Sequence, residues 1–321
     1  MIKHFVGWWN LENLFDVEDS KDRPPWLKKR LQKELEGWNS KILAEKINQL
    51  SKIISKMNDG RGPDILGVCE VENKPVVEQL VKSLNFVGRN YKVAHHDTSD
   101  GRGIDVAFIY DNDRFEFEQQ FSHEVIKRAA TRDLFQVNLV GKQSGENLIV
   151  VGNHWPSRMG GEYETEPFRI VAAETLSYWY KRIREEKGKD VAIVIMGDFN
   201  DEPHSRSITK YALGTNTMIE LRKARSPKLF NLMWGLMGTG LGTHYMGSSH
   251  AMFDQFMISK GFLNENRHFK VKLDSAEIIR YPEMMSSNDY KGPIRFGRPY
   301  KGLNKNGFSD HFPISLELEE N

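Results

Sequence analysis

Asn10, Glu70, His154, Asp198, Asn200, Asp254, Asp310 and His311 share a setting: each stands at or beside the end of a short apolar run. Asn10 closes the run ending in Trp9, and Glu70 follows Ile65-Leu66-Gly67-Val68-Cys69. Asn153 and His154 follow Leu148–Gly152, and Asp198 and Asn200 follow Ile193–Gly197. Asp310 and His311 come just before a last apolar stretch. Carboxylates, carboxamides and imidazoles are the groups that move protons in general acid–base hydrolysis. Strand ends are where a rigid sheet can present such side chains to one cleft. Singly, each has a plainer reading. Asn10 could cap a turn, Asp198-Phe199-Asn200-Asp201 could be an Asx-turn, and either histidine could be structural. Asp254 is harder to dismiss, because a carboxylate between Phe253 and Phe256 on a buried strand needs a partner. The case rests on the set.

The runs themselves read as strands: His4–Trp9, Ile65–Cys69, Asp105–Tyr110, Leu148–Gly152, Val191–Met196, Phe253–Ser259 and Pro313–Leu318. Helical spacing lies between them. Ser40–Met57 repeats apolar residues at three- and four-residue steps, and Lys74–Leu84 carries Pro75 in its first turn. Glu166–Glu186 places Phe168, Ala172, Leu176, Trp179 and Ile183 on one stripe. Residues 235–249, rich in Gly, Ser and Thr, and 281–306, with their Gly and Pro residues, are expected as long surface loops, a common place for function. No linker-like composition shift or repeat interrupts the chain, so one domain over residues 1–321 is expected.

Composition bounds the rest. The chain has 321 residues, 39% of them hydrophobic and 28% charged, with a net charge of +1. That balance argues against a protein that coats a nucleic-acid duplex without specificity, which is usually more basic. No run of about 18 apolar residues occurs, so no membrane span is indicated. The opening residues lack the apolar core and cleavage site of a signal peptide. The lone cysteine, Cys69, permits no internal disulfide. A reducing, cytoplasmic compartment is the expectation.

The ordered motifs carry a resemblance. Trp9-Asn10-Leu11-Glu12-Asn13-Leu14-Phe15-Asp16, Gly67-Val68-Cys69-Glu70-Val71 and Arg102-Gly103-Ile104-Asp105 come first. Asn153-His154-Trp155-Pro156-Ser157-Arg158, Gly197-Asp198-Phe199-Asn200, Phe253-Asp254-Gln255-Phe256 and Ser309-Asp310-His311 follow. In content and order they resemble the motifs of the endonuclease/exonuclease/phosphatase (DNase I-like) superfamily. The closest flavour is a bacterial subgroup with WNLENLFD, CEVEN, RGID and NHWPSR. The resemblance implies an α/β fold, a four-layer αββα sandwich of two packed mixed sheets flanked by helices.

It also implies roles. Glu70 is the main metal ligand, with Asn10 and Asp310 close by; these hard oxygen ligands suit Mg²⁺, with Mn²⁺ as substitute. Asp198 deprotonates the attacking water, and Asn200 holds that water or a phosphate oxygen. Asp254 keeps His311 protonated and aimed at the phosphoryl oxygens. His154 contacts the phosphate and protonates the leaving oxygen, with Asp105 either orienting it or pairing with Arg102. Arg158, Arg132 and Arg169 are candidates for a second phosphate contact, since arginine grips phosphate in a bidentate way. Cys69 is expected to point away from Glu70, and Trp8, Trp9, Phe199 and Phe312 are expected in the core.

Two departures from the family pattern matter. Cys69 stands where the motif usually has Gln. His154 stands where the apurinic-site branch has Tyr, which tilts the reading towards branches with two active-site histidines. The expected function is a metal-dependent phosphoesterase acting on a phosphate-ester substrate, first of all a nuclease on nucleic acid. The rival is a phosphatase or phosphodiesterase acting on inositol phosphates, phospholipid head groups or nucleotides. A binding module without catalysis is disfavoured, because it predicts decay of these positions.

Overall fold

The computed structural model describes residues 1–321. The chain opens with β1 (Ile2–Leu14), α1 (Pro25–Leu35), α2 (Ser40–Lys56), β2 (Ile65–Val71) and α3 (Lys74–Ser83). Then come β3 (Tyr91–His95), β4 (Asp105–Asp111), β5 (Phe115–His123), β6 (Leu134–Gly141) and β7 (Asn147–His154). The long helix α4 (Glu162–Lys187) leads to β8 (Ala192–Asp198), β9 (Gly214–Thr215), α5 (Met218–Lys223) and β10 (Leu229–Asn231). The last third holds the hairpin β11 (His244–Met246) and β12 (Ser249–Ala251), then β13 (Asp254–Ser259), β14 (Phe269–Val271) and β15 (Glu277–Ile278). A small ribbon, β16 (Gly297–Arg298) and β17 (Gly302–Leu303), precedes β18 (Ile314–Glu320).

Two mixed sheets result. One runs β14-β18-β1-β2-β4-β3 with β15 added on β18; the other runs β5-β6-β7-β8-β13-β10-β9. β1–β2 and β7–β8 are parallel, whereas β2–β4, β1–β18 and β8–β13 are antiparallel. Strand parity then sorts the side chains into layers, since successive residues face opposite sides. Val6, Trp8, Cys69, Val150, Met196 and Phe256 fill the space between the sheets. Trp9, Leu11, Val68 and Ala107 face outwards and meet α1, α2 and α3 through Leu31, Leu50 and Leu80. Ile149, Ile193 and Ile195 meet α4 through Ala172, Leu176 and Tyr180. This is the four-layer αββα sandwich expected above.

Local chemistry starts the helices where they start. The Asn39 side chain accepts from the amides of Lys41 and Ile42, and Asn73 accepts from Val76 at 2.9 Å, so both helices begin on asparagine caps. α4 begins four residues before the expected Glu166 and contains Pro167. Its stripe is also rotated. Phe168 is 41% exposed, Trp179 stacks on His123 at the edge, and Arg169 and Tyr180 are buried instead. β3, β5, β6 and α1 were not legible as apolar runs; β5 shows why, being exposed along most of its length.

The sheets approach closely at two glycines. A Cβ on Gly67 would lie 3.0 Å from Met196 Sδ of the facing sheet and 2.6 Å from Trp8 Cε3 beside it, and one on Gly152 would lie 2.5 Å from Val106 Cγ1 and 3.1 Å from Phe108 Cζ across the layer. Both contacts belong to the layer between the sheets, so neither site can take a methyl group without moving large rings. Gly67→Ala should therefore lower stability by about 1–3 kcal/mol. Urea unfolding followed by tryptophan fluorescence checks this; an unchanged midpoint would show that the layer is looser than its contacts imply.

Candidate active site

The layer between the sheets stays apolar along each strand until its last inward-facing position, where it turns polar. β1 reads Val6, Trp8, Asn10; β8 reads Val194, Met196, Asp198; β13, read towards the same end, gives Ile258, Phe256, Asp254. β7 ends in His154. Register places His154 opposite Asp198, and Asp198 opposite Asp254, in one row across three strands. The same parity that buries the core thus aims these groups into one cleft.

Glu70 breaks parity. On a regular strand it would follow Val68 towards the helices. Instead it has φ +59°, at a register shift in the β2–β4 ladder. A left-handed residue at a bulge re-aims its side chain. Glu70 Oε1 consequently lies 3.7 Å from His154 Nε2, across the cleft on the other sheet. β1 has a matching irregularity beyond Asn10, where Glu12 and Asn13 also have positive φ. Cys69 keeps regular parity and is buried between the sheets, on the face away from α2.

Asp198 is the hub. Its Oδ2 accepts from Asn10 Nδ2 at 3.0 Å and lies 3.8 Å from the Nε2 of both His154 and His311. Its Oδ1 accepts from the amide of Asn200 at 3.0 Å. Asn200 has φ +51°, and its Nδ2 donates to Trp155 O. Burial and the nearby Asp254 carboxylate outweigh His311 and the hydrogen bonds, and raise Asp198 to about 7. A fixed carboxylate of that basicity suits a general base at neutral pH.

His311 is held from three sides. Its Nδ1 pairs with Asp254 Oδ2 at 2.7 Å, while Trp8 Nε1 donates to Asp254 Oδ1 at 3.0 Å. Its backbone carbonyl accepts from Trp9 Nε1. Ser309 Oγ donates to Asn10 O and accepts from the His311 amide, latching the turn to β1. Burial alone would lower this imidazole, but Asp254 and Asp198 outweigh it and raise it to about 10. His154 goes the other way. Burial, then Arg132, Arg102 and His311, push it well below the ordinary histidine range, and its Nδ1 is buried without a partner. A histidine lowered in this way suits a neutral Nε2–H donor to a phosphate better than the expected acid for a leaving group, a task that the raised His311 fits better.

Glu70 and Asp310 make no short hydrogen bond. Their ion-pair contacts are long: Arg102 at 3.4 Å and His154 at 3.7 Å for Glu70, and Arg295 at 3.4 Å for Asp310. Two carboxylates with only long contacts offer hard oxygens of the kind that hold Mg²⁺ or Mn²⁺, and Asn10 Oδ1, which accepts from the Glu12 amide at 3.0 Å, keeps a second lone pair. Asp198, Asp254 and His311 also stand close enough to share an ion. Their atoms, however, are already paired with one another, with Trp8 and with Asn10, so they fit a proton-handling group better than a metal cage.

Four expectations about substrate-binding residues do not survive. Arg169 is fully buried, with Nε 2.8 Å from Asp201 Oδ2 and its other nitrogens on Thr165 and Glu162. Arg132 donates to Trp155 O and faces Asp100. Arg158 binds Asn200 O, Asp201 and Glu162 and packs over Phe253. All three brace the loops after β7 and β8 and are held by protein partners, with only the buried Nε of Arg132 left without one. Asp105 neither orients His154 nor pairs with Arg102. It accepts from Thr98 and faces His95.

The cleft arginines come from elsewhere. Arg102 Nη2 lies 3.4 Å from Glu70 and 3.0 Å from Asn13 Oδ1. Arg295 reaches both Asp310 and Glu12, with its side chain 67% exposed. Glu12 is buried and also accepts from the amides of Phe296 and Gly297, which ties the long loop to β1. Beneath it Lys46, fully buried on α2, donates to Phe308 O and lies 3.9 Å from Glu12. Burial lowers Lys46 to about 8 against the pull of Glu12, Asp310 and Glu70. His244, on β11, lies beside His311 with ring centres 4.7 Å apart; burial and that charged neighbour lower it to about 4. Lys46 could have been noticed as a cation inside the stripe Leu43, Ile47, Leu50. Arg295 and His244 gave no signal, because their loops carry no periodicity.

The Asp254–His311 pair sets a pH response. A histidine raised above its unfolded value stabilises fully below that ordinary value, about 6.5, and loses the contribution as pH rises through the folded value. In metal-free protein the His311 ring should stay protonated beyond pH 9, as read by NMR of its ring signals. In Asp254→Asn the midpoint should fall by more than one pH unit. The wild type should also lose more stability than the variant between pH 7 and 10. Equal midpoints would remove Asp254 as the cause.

The comparisons agree with this fold. The human Nocturnin catalytic domain superposes with a TM-score of 0.57 at 16% identity, covering 99% of this chain and 94% of its own. TDP2 from D. rerio, complexed with single-strand DNA product, gives 0.57 at 13%, covering 98% of each chain. A mannosyl-6-phosphatase of Bacteroides thetaiotaomicron VPI-5482 gives 0.57 at 15%, covering 98% of this chain and 99% of its own. At such identities these likenesses speak for the fold. No curated protein sequence matches the chain. A family model described as "Endonuclease/Exonuclease/phosphatase family" matches residues 5–320, nearly the whole length. A continuous match of that extent, over a sandwich whose polar strand ends converge as described, means that the chain belongs to the endonuclease/exonuclease/phosphatase family.

Proposed function

We propose that this protein is a metal-dependent phosphoesterase that hydrolyses phosphodiester bonds with an Asp198-activated water, and that it acts first of all as a nuclease. The observation that carries the reading is the sharing of Asp198 Oδ2 by Asn10, His154 and His311, with Glu70 3.7 Å from the same His154 nitrogen. Base, charged donor, neutral donor and proposed metal carboxylate thus each stand within about 4 Å of a neighbour around Asp198 and His154.

Asp198 takes the proton of the attacking water, its carboxylate fixed by Asn10 and Asn200. His311, charged and aimed by Asp254, donates to a phosphoryl oxygen as negative charge builds, and can pass its proton to the departing oxygen. His154 adds a neutral hydrogen bond from the other side. Glu70, Asp310 and Asn10 would hold Mg²⁺, or Mn²⁺ in its place; when bound, the cation supplies charge stabilisation at the phosphoryl oxygens. No helix of the protein is long and apolar enough to cross a membrane.

A second reading, a phosphatase of inositol phosphates, head groups or nucleotides, is favoured by Arg102 and Arg295. Both stand beside the proposed metal carboxylates and keep unused donors, as recognition of a multiply charged phosphate group requires. Plasmid DNA and a panel of small phosphate esters, each tested with Mg²⁺, Mn²⁺ and EDTA, separate the readings. Nicking that needs metal and falls at least about 100-fold in Asp198→Ala supports the nuclease. Phosphate release from a small ester without nicking supports the phosphatase, and there Arg295→Ala should raise KM more than it lowers kcat. Activity surviving in Glu70→Ala at saturating Mg²⁺ would overturn the metal assignment, and no turnover of either substrate would count against catalysis.

A further inference from the structure

Asp105, from the Arg102-Gly103-Ile104-Asp105 motif, takes no part in the cleft just described, yet it is buried and built into a cluster of its own. Thr98 donates to Asp105 Oδ1 twice, from its amide at 3.0 Å and its hydroxyl at 2.6 Å. This fixes the carboxylate and leaves Oδ2 free. His95, at the end of β3, points Nε2 towards that oxygen from 3.5 Å. The His95 side chain is 2% exposed, and its Nε2 has no hydrogen-bond partner. Asp97 lies beyond, with Oδ1 3.9 Å from His95 Nδ1 and its side chain 81% exposed. One donor atom from each of the three residues falls within 4.8 Å of the other two.

Two ligands bound at about 2.1 Å to a common ion, at tetrahedral or octahedral angles, stand about 3.0–3.4 Å apart. The 3.5 Å between His95 and Asp105 is thus near a ligand spacing and long for a hydrogen bond. The orientation of Asp105 by Thr98 is the arrangement that outer hydrogen bonds impose on metal carboxylates. A cavity of about 220 Å³ opens onto Asp97 and Asp105, with room for water to complete the coordination. Of the two cations that line it, Arg23 is engaged by Glu72 through two nitrogens and Lys74 Nζ lies 3.7 Å from Glu78; neither makes an ion pair with Asp105.

We propose that His95, Asp97 and Asp105 form a second divalent-cation site, separate from the catalytic cleft. Its imidazole nitrogen selects a transition ion, zinc or manganese, over magnesium. The ion sits at the base of the β3–β4 loop. Arg102 leaves that same loop to reach Glu70, so the site fixes the loop that presents a cleft arginine.

The test is calorimetric titration of EDTA-stripped protein with Zn²⁺ alone, in a Glu70→Ala background that weakens the cleft site. One equivalent should bind in Glu70→Ala and be lost when His95→Gln is added. Asp97→Asn, at an exposed position that does not threaten folding, should weaken that equivalent at least about 10-fold, and the ring nitrogens of His95 should shift in ¹⁵N spectra on adding Zn²⁺. Equal stoichiometry with and without His95, no binding in Glu70→Ala, or an unmoved His95 ring would each leave His95–Asp105 as an ordinary ion pair and overturn the proposal.

Discussion

Buried negative charge is the constraint around which this protein is built. Glu12, Glu70, Asp198, Asp254 and Asp310 gather at one end of the sandwich, mostly shielded from water. Isolated carboxylates in such a place would protonate or destabilise the fold. Each therefore has a dedicated partner drawn from a different part of the chain. His311 faces Asp254 and Asp198, Lys46 comes up from α2 under Glu12, and Arg102 and Arg295 lean in from loops onto Glu70 and Asp310. Strands supply four of the acids, and helices and loops supply the cations.

The compensation is uneven, and the unevenness is where chemistry becomes available. Asp254 is fully satisfied by His311 and Trp8, so it acts as a fixed support. Asp198 is only partly satisfied and stays basic enough to take a proton near neutral pH. Glu70 and Asp310 have long, weak contacts only, which leaves them ready for a cation of higher charge. The two histidines are driven apart by the same field: His311 between carboxylates holds its proton, while His154 near arginines does not. In the proposed mechanism one would donate as a cation and the other as a neutral ring.

Four of the eight non-glycine residues with positive φ lie at the same end. Glu12, Asn13, Glu70 and Asn200 all take left-handed conformations that non-glycine residues rarely adopt. Each lies where a strand stops obeying its ladder, and each turns a polar group towards the cleft or towards a loop that closes it. The long segment after β15 shows the consequence. It is surface chain without a regular pattern, yet Glu12, Lys46 and Gln49 bind its backbone at Phe296, Phe308 and Gly307, so it becomes a fixed wall rather than a free loop.

The sequence by itself determined the layers and the row of polar strand ends, because apolar runs closed by Asn10, His154, Asp198 and Asp254 obey a period of two that needs no tertiary knowledge. Motif order determined the family. The arginines were another matter. Arg158, Arg132 and Arg169 looked as available on paper as Arg102 and Arg295, and only packing showed that the first three are tied to Asp201, Asp100 and backbone carbonyls. The direction of Glu70, the partner of Asp105 and the place of His244 also came only from the folded chain. A bulge that reverses parity, and contacts between loops far apart in sequence, leave no periodic trace. They are decided by which charges remain unpaired once the sheets have packed.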